Sequence, residues 1–93
     1  MARFTVRIEL HNAAYLDYEN LHRFMEQAGF TRTITSDNGT TYHLPTAEYN
    51  AEGTFSIDDA LAAAKKAAAA TGKRFGVLVS EAVKRKWDGL PTV

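Results

Sequence analysis

The chain has no cysteine, which excludes a disulfide framework, thiolate metal sites and cysteine nucleophiles, and fits a reducing compartment. Proline is scarce, with 2 residues in 93, so few positions break regular structure, and a length of 93 residues leaves room for one small domain. There is no long apolar run: the N-terminus alternates polar with apolar from Arg3 onward, so it reads neither as a signal peptide nor as a membrane span, and a soluble cytoplasmic protein is expected. Nor is there a G-x-x-x-x-G-K, a G-x-G-x-x-G or a nucleophile elbow to suggest nucleotide or hydrolase chemistry. Charge of one sign is also missing, since 11 basic side chains balance 11 acidic ones. Their distribution is uneven. Residues 1–64 hold 4 basic and 9 acidic groups, whereas residues 65–93 hold 7 basic and 2 acidic. A bulk polyanion binder carries a cationic surplus, so any anion site here has to be local, and Lys84-Arg85-Lys86 is the densest basic run.

What is present is the pattern of an ordinary globular domain, at 45% apolar and 24% charged residues. Arg3 to Leu10 alternates, with Phe4, Val6, Ile8 and Leu10 on one face and Arg3, Thr5, Arg7 and Glu9 on the other, which predicts a half-buried strand. Asn12 is a plausible cap for a helix running to about Ala28, with Tyr18, Leu21, Met25 and Ala28 as its buried stripe and Gly29 as its stop. Glu19, His22 and Glu26 share a helix face that reads as solvated. The β-branched stretch from Phe30 to Leu44, broken at Ser36-Asp37-Asn38-Gly39, predicts a hairpin with a type I turn and Gly39 in the bulge. That register pairs Ile34 with Tyr42 and Arg32 with Leu44. Thr46 to Thr54 reads as a loop or a short irregular extension after Pro45. Ser56 caps a second helix through a box with Asp59, with Ile57, Leu61, Ala64 and Ala68 inward, and Gly72 ends it. Phe75 to Ala82 is the last strand, with Leu78 outward. Residues 1–83 then form the domain, and 84–93 a basic C-terminal tail with the single tryptophan, Trp87.

The order β-α-β-β-α-β predicts an α+β, ferredoxin-like sandwich: a four-stranded antiparallel sheet with two helices on one face. In that arrangement the first strand and the second arm of the hairpin are the central pair, so Arg7 and His43 emerge together on the open face. RNA-recognition modules of this shape stack bases on aromatics of the central strands, but Phe4 and Tyr42 point inward in this register. RNA carries its own nucleophile, the 2′-hydroxyl, and its cleavage requires a base, an acid and a cation for the phosphate. His43 and Arg7 are the candidate catalytic residues. Arg32, Tyr42 and Glu48 are candidates for binding or orienting the substrate. Lys84, Arg85, Lys86 and Trp87 combine charge with an aromatic, as single-strand binders do, although a lone tail tryptophan more often anchors the tail to its own domain. No metal or cofactor site is expected.

The length, the element order and the segment Tyr42-His43-Leu44-Pro45-Thr46-Ala47-Glu48-Tyr49 together resemble the GhoS-type antitoxin endoribonucleases of type V toxin–antitoxin systems. The resemblance implies cleavage of the single-stranded messenger RNA of a small membrane toxin. Related ferredoxin-like CRISPR nucleases carry an acidic metal ligand at the end of the first strand. That place reads Leu10-His11-Asn12 here, so the implied cleavage is metal-independent. The competing expectation is a non-enzymatic interaction or regulatory module that homodimerises through sheet faces or edges.

Overall fold

A computed structural model describes residues 1–93. Its elements are β1 (Ala2–Leu10), α1 (Tyr15–Gln27), β2 (Thr33–Thr35), β3 (Thr41–His43), β4 (Glu48–Gly53), α2 (Ile57–Ala69) and β5 (Phe75–Glu81). Three strands make one antiparallel sheet in the order β4-β1-β5, and β2 and β3 make a separate two-stranded ribbon. No helix is long and apolar enough to cross a membrane.

The alternation of β1 does what its period demands. Phe4, Val6, Ile8 and Leu10 are buried beneath the two helices, while Arg3, Arg7 and Glu9 stand on the other, uncovered face. Leu21 and Met25 of α1 and Ala64, Ala67 and Ala68 of α2 close the core over them. Alanine lets α2 approach the sheet closely. It buries Ala60 and Ala67 and leaves Ile57 39% exposed, so the inward stripe is rotated from the one expected through Ile57 and Leu61. The cap of α2 is as expected: the Asp59 amide donates to Ser56 Oγ (3.1 Å) and the Ser56 amide to Asp59 Oδ2 (3.2 Å). At α1 the cap differs. Asn12 sits in a left-handed turn (φ 52°), and Ala14 is the cap, its amide donating to Asp17 Oδ2 at 2.8 Å.

The hairpin register is as expected, with Ile34 opposite Tyr42 and the Leu44 amide donating to the Arg32 carbonyl at 2.8 Å. Gly39 takes the left-handed conformation (φ 88°) that the bulge needs. The placement of the hairpin differs. The strand beside β1 is β4, which lies in the segment read as a loop, and it pairs Val6 with Tyr49 and Phe4 with Ala51. The arm leading into the hairpin meets β4 only at a bridge between Thr31 and Asn50, with both amide bonds at 2.8 Å. The physical reason is burial: β4 carries Tyr49 and Ala51 to the helix-covered face, where they are 0% and 5% exposed, whereas β3 has no comparable buried pair to offer.

Candidate functional site

The uncovered face of the sheet is built by alternation. Arg3, Thr5 and Arg7 of β1 lie opposite Glu52, Asn50 and Glu48 of β4, and Thr5 and Arg7 lie opposite Ser80 and Leu78 of β5. After β5 the chain folds back across this face. The Ala82 amide donates to the Arg3 carbonyl (2.8 Å), and the Arg3 guanidinium donates to the Val83 carbonyl (3.2 Å). Arg85 then reaches down to the sheet, donating through one terminal nitrogen to Asn50 Oδ1 (2.7 Å) and Thr5 Oγ1 (3.2 Å). The last residues pair with the hairpin at one bridge: Tyr42 lies opposite Thr92, the His43 amide donates to the Pro91 carbonyl (2.8 Å), and the Val93 amide to the Thr41 carbonyl (3.0 Å). The segment expected to be a tail is therefore clasped at both ends.

Between this clasp and the hairpin lies an open groove of about 590 Å³, lined by Arg3, Tyr42, Lys84, Arg85, Lys86 and Trp87 together with Ile34, Val83 and the turn residues Thr35, Ser36 and Asp37. Trp87 and Tyr42 meet edge to face, with ring centroids 5.5 Å apart, and both are half-buried. The Arg85 guanidinium has its pKa lowered, first by burial and then by the neighbouring charge of Arg3, against a smaller pull from Glu52. No carboxylate comes within 4.0 Å of Arg3, Arg85, Lys84 or Lys86. Four cations thus share a groove whose one lining carboxylate, Asp37, pairs with none of them, and like charges held together without a partner favour an anion.

The structure separates the expected catalytic pair. Arg7 stands on the three-stranded sheet opposite Glu48 and Leu78, while His43 belongs to the ribbon, opposite Thr33. The geometry of two neighbouring central strands does not hold, because β4 and not β3 fills the place beside β1. His43 instead shares a second open cleft with Arg32 and Glu26, at the end of α1. Glu48 starts β4 across from Arg7 without reaching it as an ion pair. The binding candidates Tyr42, Lys84, Arg85, Lys86 and Trp87 do converge, and the sequence reading missed Arg3, Thr5 and Asn50 as members of that groove. The strict alternation of β1 already placed Arg3 and Thr5 on the polar face, so that signal was available. Compared with known proteins, the chain matches no family model and no curated protein. Nowhere do three or more His, Asp or Glu side chains gather as ligands for a metal ion.

The supposedly solvated helix face is a further correction. His22 is 5% exposed, and its Nδ1 shares a 2.6 Å hydrogen bond with the Tyr49 hydroxyl. Burial lowers the pKa of His22, as does the charge of Arg32, while Glu19 and Glu26 oppose the shift. Burial pushes the Tyr49 hydroxyl up, so both partners are neutral. The folded protein therefore refuses a proton that the unfolded chain accepts below the ordinary imidazole value of about 6.5. Stability should be flat in pH above that value and fall as pH drops below it, until the folded-state pKa is passed. Urea midpoints at successive pH values test this. A His22→Gln variant should lose that part of the slope.

Proposed function

We propose that this protein binds single-stranded RNA in the groove between the C-terminal clasp and the hairpin. The observation that carries the reading is one groove lined by half-buried Arg85 and by Arg3, both free of carboxylate partners, beside the half-exposed rings of Tyr42 and Trp87. Phosphates would lie against the guanidiniums and the flanking Lys84 and Lys86, and a base against the indole. The fold is read as a ferredoxin-like sandwich in which the Thr31–Asn50 bridge stands where a fourth strand would run.

Binding is tested by Trp87 fluorescence and anisotropy with a short labelled RNA across a salt series. For an exposed single strand, each phosphate neutralised contributes about −0.7 to the slope of log K against log salt. Arg85→Gln keeps a polar side chain at that position but removes the charge. It should reduce the magnitude of that slope by roughly one contact and weaken binding about tenfold at low salt. A slope unchanged in Arg85→Gln would place the RNA elsewhere.

A second reading is favoured by the cleft that His43 shares with Arg32 and Glu26. A proton-transfer group beside a phosphate-gripping guanidinium is the minimum for cleavage by the 2′-hydroxyl. On this reading the protein is an antitoxin-like endoribonuclease acting on a toxin messenger, as the segment Tyr42 to Tyr49 suggested, with Arg32 taking the role first expected of Arg7.

A further inference from the structure

β5 is an edge strand, with no strand paired to its outer side. Which of its backbone groups are free follows from the bonds it makes to β1. The His11 amide donates to the Arg74 carbonyl and the Ala82 amide to the Arg3 carbonyl, both at 2.8 Å, and both contacts continue the β1–β5 register. Even-numbered residues of β5 therefore bond to β1, and by alternation Phe75, Val77, Val79 and Glu81 direct their N–H and C=O groups away from the sheet. Natural edges of this length are normally blunted by proline, an inward charge, a bulge or a covering segment. Phe-Gly-Val-Leu-Val-Ser-Glu has no proline, its one charge, Glu81, stands exposed at its last position, its pairing with β1 runs unbroken over all seven residues, and no segment pairs with its outer side. Leu78, at its midpoint, is 63% exposed on the uncovered face.

We infer that two copies of this chain join through β5, antiparallel and centred on Leu78, to form one continuous six-stranded sheet. The register is self-consistent. A two-fold axis at Leu78 sets Val77 against Val79 of the second copy and Phe75 against Glu81 of the second copy. These are the residues whose backbone groups point outward, so every free group in the strand finds a partner. Leu78 then faces its own copy as a non-hydrogen-bonded pair, the closer of the two antiparallel spacings, which removes its apolar side chain from water. Charge agrees with this direction: the strand is preceded by Lys73-Arg74 and ends in Glu81, so antiparallel pairing brings each acidic end beside the basic end of the other copy. The axis is perpendicular to the sheet. Both helix layers therefore stay on one side, and both basic grooves face the other.

Sedimentation of the full chain across a concentration series tests the inference. The mass should rise from 10.3 kDa to twice that value as concentration increases. Leu78→Lys sets two ammonium groups against each other at the axis, and it should move the midpoint upward by roughly tenfold or more while leaving the melting temperature of the monomer unchanged. In the same series, amide exchange at Phe75, Val77, Val79 and Glu81 should slow as the dimer fills. A chain that remains monomeric at millimolar concentration overturns the inference. So does a dimer that Leu78→Lys leaves intact, or one whose four edge amides still exchange freely, since either places the contact on another surface.

Discussion

Replacing Tyr49 with alanine should come close to unfolding the protein. The side chain is completely buried, the largest of those in the core, and it sits where β4 meets the helix layer. Truncating a buried aromatic of this size costs about 3–5 kcal/mol, against a total stability on the order of 5–15 kcal/mol for a domain of this kind. Tyr49→Phe isolates the polar part of that effect. The ring still fills its space, but Nδ1 of His22 loses its 2.6 Å partner inside the core. An unsatisfied buried group of this sort costs about 1–3 kcal/mol. Urea denaturation measures both, with the slope against denaturant held equal between variants. A neutral Tyr49→Phe would mean that water reaches His22, and the fall in stability at acid pH should then vanish with it.

The second large effect concerns His43. If the cleft of His43, Arg32 and Glu26 cleaves RNA, the purified chain should cut single-stranded RNA in EDTA and leave DNA of the same sequence intact, because DNA lacks the 2′-hydroxyl. His43→Ala should then lose activity on the order of 10²-fold or more, the usual contribution of a positioned acid or base. Arg32→Gln should slow the reaction by removing the phosphate clamp, while Arg7→Gln, on a different sheet, should not. Equal rates for His43→Ala and the parent would dismiss the nuclease reading. Binding without cleavage would leave the groove of Arg3 and Arg85 as the whole of the function. The two outcomes are separable because Arg85→Gln acts on the groove and His43→Ala on the cleft.

Where the sequence reading and the structure part company, the difference traces to particular residues. Glu48-Tyr49-Asn50-Ala51-Glu52 alternates polar with apolar over five positions, as a strand does, but Pro45 just before it made the segment look like a loop or a short irregular extension. Misplacing that strand by one element moved His43 next to Arg7. In the same way, His22 reads as polar at a helix position whose neighbours Glu19 and Glu26 are exposed, and only the approach of Tyr49 from β4 buries it.

Most features governed by neighbours along the chain were legible in the residues: the alternation of β1, the cap of α2 by Ser56 and Asp59, the hairpin pairing of Ile34 with Tyr42, and the left-handed glycines at 29, 39 and 72, though not the cap of α1, which falls on Ala14 and not on Asn12. These depend on local sterics and on hydrogen bonds spanning a few residues, which the residue types encode directly. Long-range packing settled that β4 pairs with β1, that residues 82–93 return across the open face, and that Arg3 and Arg85 line one groove. Each of those contacts joins segments tens of residues apart. They form because burying Tyr49, seating Arg85 on Asn50 and pairing the chain end with β3 satisfy more groups together than the alternatives do, a sum over the whole fold that no single stretch contains.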